Sequence, residues 1–120
     1  MSRRYLTMDE AEAAIRRGKN VEVFLGGFES NGQRCIKWAS INSGKEGFVG
    51  KVWESIDEGS PDFIDIYSFS PVSGEWDVPT RSEESASLST LLDLLGCPSN
   101  KLVNAGVVQD EYTSYIAAGT

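Results

Sequence analysis

Hydrophobic and polar positions along this chain change period twice. Near the start, Ala11, Ala14 and Ile15 recur at helical spacing behind Thr7-Met8-Asp9-Glu10. In that tetrapeptide the Thr7 hydroxyl accepts from the Glu10 amide while the Glu10 carboxylate reaches back to the amide of Thr7. Arg16 and Arg17 suit the negative end of the dipole and Gly18 suits a left-handed stop, so the spacing predicts a helix over 8–17.

From Val21 the pattern shortens to runs of β-branched and aromatic residues broken by turn signals. Val21 to Leu25 ends at Gly26-Gly27, and Arg34 to Ile41 ends at Asn42-Ser43-Gly44-Lys45, which reads as a hairpin turn into Phe48 to Ile56. Glu58-Gly59-Ser60-Pro61 then turns the chain into Phe63 to Phe69, a fourth strand on this reading. Neither side of these strands is cleanly polar. Ile36 and Trp38 oppose Cys35, Ala39 and Ile41, so each face is expected to be partly covered or to bind something.

After a loop over Pro71 to Pro79, which carries Trp76, the helical period returns. Thr80-Arg81-Ser82-Glu83 reads as a second capping box, opening a helix in which Leu88, Leu91, Leu92 and Leu95 fall at i, i+3, i+4 and i+7 before Gly96 and Pro98. A last helix is expected from about Val108 to Ala118, with Val108, Tyr112, Tyr115 and Ile116 on one face and Gly119 ending it. The order predicts an α+β fold of one domain: an antiparallel sheet of about four strands with one N-terminal and two C-terminal helices packed on it. At 120 residues a single core suffices.

Composition narrows the chemistry. The chain contains no histidine, which removes Ser-His-Asp and Cys-His nucleophile activation and the commonest general base near neutral pH. Cys35 and Cys97 lie far apart without metal-ligand spacing and read as small buried hydrophobes. Asp57, Glu58, Asp62 and Asp65 carry no EF-hand spacing and read as solvated turn residues. Gly26-Gly27 lacks the frame of a phosphate loop and reads as a tight turn or bulge. No cofactor and no metal are expected. Met1 to Ile15 has no apolar core of an export signal, and no apolar run approaches bilayer length, which predicts a cytoplasmic protein without a membrane partner.

Charge then divides the chain. The net charge is −7, yet Met1 to Ser55 holds nine Lys and Arg against seven Asp and Glu, while Ile56 to Thr120 holds two against eleven. Such a field repels nucleic acid and attracts a basic partner. Three stretches combine acids with aromatic anchors: Asp57, Glu58 and Asp62; Glu75, Trp76 and Asp77; and Asp110, Glu111, Tyr112 and Tyr115. Aromatic side chains supply binding energy while carboxylates steer and pair with Lys or Arg. The expectation is a non-catalytic, acidic protein-binding module, analogous to inhibitors and immunity proteins that neutralise a basic partner such as a nuclease toxin. The alternative is a small-ligand or sensory domain with Trp38, Trp53, Phe63 and Tyr67 lining a pocket. Asn104-Ala105-Gly106 is read either as a turn that starts the last helix or as a recognition edge.

Overall fold

In the computed structural model, residues 5–45, 47–76 and 78–118 are described. Asp77 and Gly119, both singled out above, lie outside them. The first helix, α1 (Met8–Arg16), starts on the expected reciprocal cap: the Glu10 amide donates to Thr7 Oγ1 at 3.1 Å and the Thr7 amide donates to Glu10 Oε1 at 2.8 Å.

Three long strands follow as a meander, β1 (Val21–Ser30), β2 (Gln33–Gly44) and β3 (Gly47–Ile56). Gly26-Gly27 does not end β1. The register shifts between Phe24 and Gly26, a bulge at Leu25, and the strand continues to a two-residue turn. Asn31 and Gly32 both have positive φ, 53° and 79°, as a tight hairpin matched to the twist of its strands requires.

The fourth strand differs from expectation. Phe63 to Phe69 is irregular and contains a single 3-10 turn at Ile66–Ser68. The Ser68 hydroxyl donates to Asp65 Oδ2 at 2.6 Å and the Ser68 amide to the Asp65 carbonyl at 3.0 Å. These local bonds compete with a sheet ladder, which alternation alone cannot reveal. The strand lies instead at β4 (Arg81–Ser85), where the Thr80 capping box was expected to open a helix. The helix, α2 (Leu88–Leu95), starts later, with the Ser87 hydroxyl accepting from the Thr90 amide at 3.3 Å. Glu83 and Glu84 therefore sit in an edge strand, and Glu83 takes an exposed pair with Arg81 at 3.0 Å. Gly96 ends α2 in the left-handed conformation, as expected. A two-residue strand, β5 (Val103–Asn104), and a final helix, α3 (Val108–Ala118), complete the fold.

The sheet is antiparallel throughout, in the order β4-β3-β2-β1-β5. The helices do not share one face. Val21, Val23, Ala39, Ile41, Phe48 and Val52 point to one side, where Ala11 and Ile15 of α1 and the leucines of α2 cover them. Phe24, Ile36, Trp38, Trp53 and Val103 point to the other, where Ile66, Phe69 and Tyr112 of α3 cover them. Period-2 alternation on β2 alone builds both cores. No helix among the described residues is long and apolar enough to cross a membrane.

Candidate functional site

The second face is where irregular chain meets the sheet, and polar bonds pin it there. Glu22 of β1 is only 5% exposed. Its Oε1 accepts from the Tyr67 hydroxyl and from the Gly106 amide at 3.0 Å, and the same amide approaches the Tyr67 hydroxyl at 3.1 Å. Burial raises the Glu22 pKa, against the opposing pull of these two donors. Burial and the adjacent carboxylate together hold the Tyr67 phenol protonated far above its usual range. Glu22 thereby fixes both the 3-10 turn and the entry to α3. Within the alternatives left open for Asn104-Ala105-Gly106, this bond gives Gly106 a structural duty.

A second pin uses Asp57. Its Oδ1 accepts from the hydroxyl of fully buried Tyr112 and from the Gly59 amide at 3.3 Å. The Tyr112 phenol is likewise held protonated well above the ordinary range, first by burial and then by the Asp57 hydrogen bond and charge. A Cβ on Gly59 would overlap the Tyr112 hydroxyl and the Phe69 ring, so only glycine lets the chain pass so close. Glu58 ties the returning segment, accepting from the Ser70 amide at 2.6 Å and its hydroxyl at 2.9 Å.

Between these pins the segment leaves an aromatic groove of about 220 Å³. Trp38, Trp53, Tyr67, Phe69 and Trp76 provide rings, and Glu75 and Val78 stand beside them. Trp38 lies near-parallel to Trp53 with centroids 5.8 Å apart, and Tyr67 meets Trp38 edge-on at 5.2 Å. Trp53 Nε1 donates to Ser40 Oγ at 3.0 Å, but Trp38 Nε1 has no partner among the described residues. Trp38 is 7% exposed, and a buried unpaired donor costs about 1–3 kcal/mol. Trp76 is 57% exposed and Val78 49%, among the largest apolar exposures on the described surface. Phe63 does not line the groove; it packs on Phe69 at 5.3 Å.

The ten residues singled out in the sequence separate into distinct places. Glu75 and Trp76 are exposed at the groove, and Asp62 is exposed on the segment leading to it. Asp57 and Tyr112 form the buried pin, so Tyr112 is core. Asp110 is exposed at the start of α3, whereas Glu111 accepts from the Tyr5 hydroxyl at 2.8 and 2.9 Å. Glu111 and Tyr115 border a different hollow of about 710 Å³, which also contains Lys37 and Lys101 and is mixed in charge. Of the four residues expected to line a pocket, Trp38, Trp53 and Tyr67 do so. Glu22 escaped the sequence reading: its position inside Val21-Glu22-Val23 looked like ordinary strand alternation.

The remaining candidates are inert in this geometry. Both cysteines are free and buried, and burial pushes the Cys97 thiol up to about 11. Among the described residues no cluster of three or more Cys, Asp or Glu is placed to hold a metal ion. Compared with known proteins, the chain matches no family model, no curated protein and no solved structure.

Proposed function

We propose that this protein is a non-catalytic, cytoplasmic binding module of the inhibitor or immunity type, which neutralises a basic protein partner through the aromatic face built by residues 57–80. One observation carries the reading: Phe63, Tyr67, Trp76 and Val78, four large apolar side chains left exposed, all come from this segment, which contains six acids and no Lys or Arg. Exposed aromatic anchors carried on a segment of one sign of charge combine binding energy with steering. Trp76 and Val78, exposed side by side at one groove, form an apolar patch of the kind that marks interaction sites.

The test uses the intact protein as immobilised bait in lysate of its source at low salt, followed by a salt gradient. A single stoichiometric basic protein released at moderate salt supports the reading. Replacing Glu75 and Asp77 together by Lys should then weaken the purified complex at least ten-fold, more than the same change at Asp110 and Glu111. Retention of no basic protein would overturn the proposal.

A second reading, a small-ligand or sensory domain, rests on the same groove. Its volume of about 220 Å³ lies below the roughly 300–1,000 Å³ of drug-sized ligand sites, which fits one side chain better than a metabolite. A metabolite that copurifies and shifts the melting temperature would reverse that preference.

A further inference from the structure

Resting on the reading of a basic partner, we infer that the groove of Trp38, Trp53, Tyr67 and Trp76 is a receptor for a guanidinium group, and that the partner's anchor is an arginine side chain.

Three features of the groove select this chemistry. Aromatic side chains form much of its wall, and the negative quadrupole of a ring face attracts a cation placed against it. Among the described residues its charged lining residue is Glu75, and no Lys or Arg lines it. Its volume suits one long side chain. An aliphatic anchor would leave the carboxylate unused. Guanidinium is planar, stacks on indole and is more weakly hydrated than ammonium, so it leaves water for an aromatic cleft more readily than lysine.

No Lys or Arg among the described residues lines the groove. Among the described residues, Arg16 lies over Phe48 at 5.6 Å and Lys101 over Tyr5 at 4.8 Å, both away from it. Guanidinium donates from a planar fork, so an arginine can pair with the Glu75 carboxylate while lying against the rings, which a quaternary ammonium such as choline cannot.

The experiment follows the three tryptophan indole N–H resonances of the full-length protein during titration with the capped tripeptide Gly-Arg-Gly, with heats measured in parallel. The controls are the same peptide carrying citrulline, which keeps the shape and loses the charge, and choline as a free cation. The arginine peptide should shift all three indoles saturably and bind at least about five-fold tighter than the citrulline peptide. Trp76→Ala and Glu75→Gln should each weaken it several-fold, and added salt should weaken it further. Equal binding of the citrulline peptide, or no saturable shift, overturns the inference. Choline binding with the arginine peptide silent overturns it as well, leaving a site for free cations. If the peptide fails while a captured basic protein still binds Trp76→Ala normally, only the arginine anchor falls. If the peptide binds but no basic protein is retained, the groove stands and the partner reading falls.

Discussion

The two faces of the sheet are built on different principles. Under α1 and α2 the core is almost entirely aliphatic, with Ile15, Val21, Ile41, Leu88 and Leu91 at most 1% exposed. Amphipathic helices meet a regular sheet there, and the side-chain hydrogen bonds described for α1 and α2 are caps at their first turns. On the opposite face, rings fill the core, and beside α3 the described residues that cover them between Asp57 and Thr80 are largely irregular. Aromatic surfaces give bulk but few close-fitting alternatives, so carboxylate pins at Glu22 and Asp57 set where that chain lies. A face closed by two amphipathic helices buries its aliphatic side chains. One closed by a pinned loop leaves a groove.

The sharpest way to break this contrast is to remove Tyr112. Tyr112→Ala should cost about 3–5 kcal/mol in urea unfolding, and Leu91→Ala on the aliphatic face about 2–5 kcal/mol. The distinction appears with smaller changes. Tyr112→Phe, which keeps the ring and deprives Asp57 of a donor, should still cost about 1–3 kcal/mol, a polar component with no counterpart under α2.

Glu22 offers the next largest effect. Glu22→Ala leaves the Tyr67 hydroxyl and Gly106 amide without their acceptor and should cost about 1–3 kcal/mol. Glu22→Gln keeps an acceptor and should be tolerated, with a diagnostic pH dependence. Because the folded protein holds this proton more tightly than the unfolded chain does, the favourable contribution of Glu22 is complete below its ordinary pKa of 4.5 and is lost as pH rises through the raised folded value. Stability measured over that interval should therefore fall less steeply with pH in Glu22→Gln than in the parent. An equal slope would show that the carboxylate is not the titrating group.

Smaller effects sharpen the boundaries of the two faces. Ser87→Ala should cost about 1 kcal/mol by removing the cap of α2, while Glu83→Ala, in the edge strand, should stay within about 0.5 kcal/mol. Trp76→Ala should change stability least of all, again by less than about 0.5 kcal/mol, because its side chain is mostly in solvent; its effect belongs to binding.

These differences also explain which parts of the molecule were legible in the sequence. The Thr7 box, the 3.6-residue leucine stripe and the β2-β3 hairpin are local signals, and each produced the expected element. Phe63 to Phe69 has a strand's composition, but Asp65 and Ser68 satisfy its backbone locally, while residues around Ser70 and Val72 take the adjoining edge of β3. Thr80 to Glu83 has the letters of a capping box two turns ahead of the first leucine; β3's open edge claimed it instead. Of the expected aromatic and acidic set, Glu75 and Trp76 stand exposed at the groove, whereas Tyr112 turned inward because α3 lies across the sheet. Glu22 was hidden because burial of a single carboxylate depends on partners 45 and 84 positions away.

All three tryptophans of the chain line the one groove. The intrinsic emission of this protein is therefore a local gauge, blind to the aliphatic face, and the Trp38–Trp53 stack should add a coupled band to its ultraviolet circular dichroism. If the pinned segment detaches before the sheet melts, emission will report a transition at lower temperature than the backbone signal does. A single coincident transition would mean that the carboxylate pins are as durable as the β ladder itself.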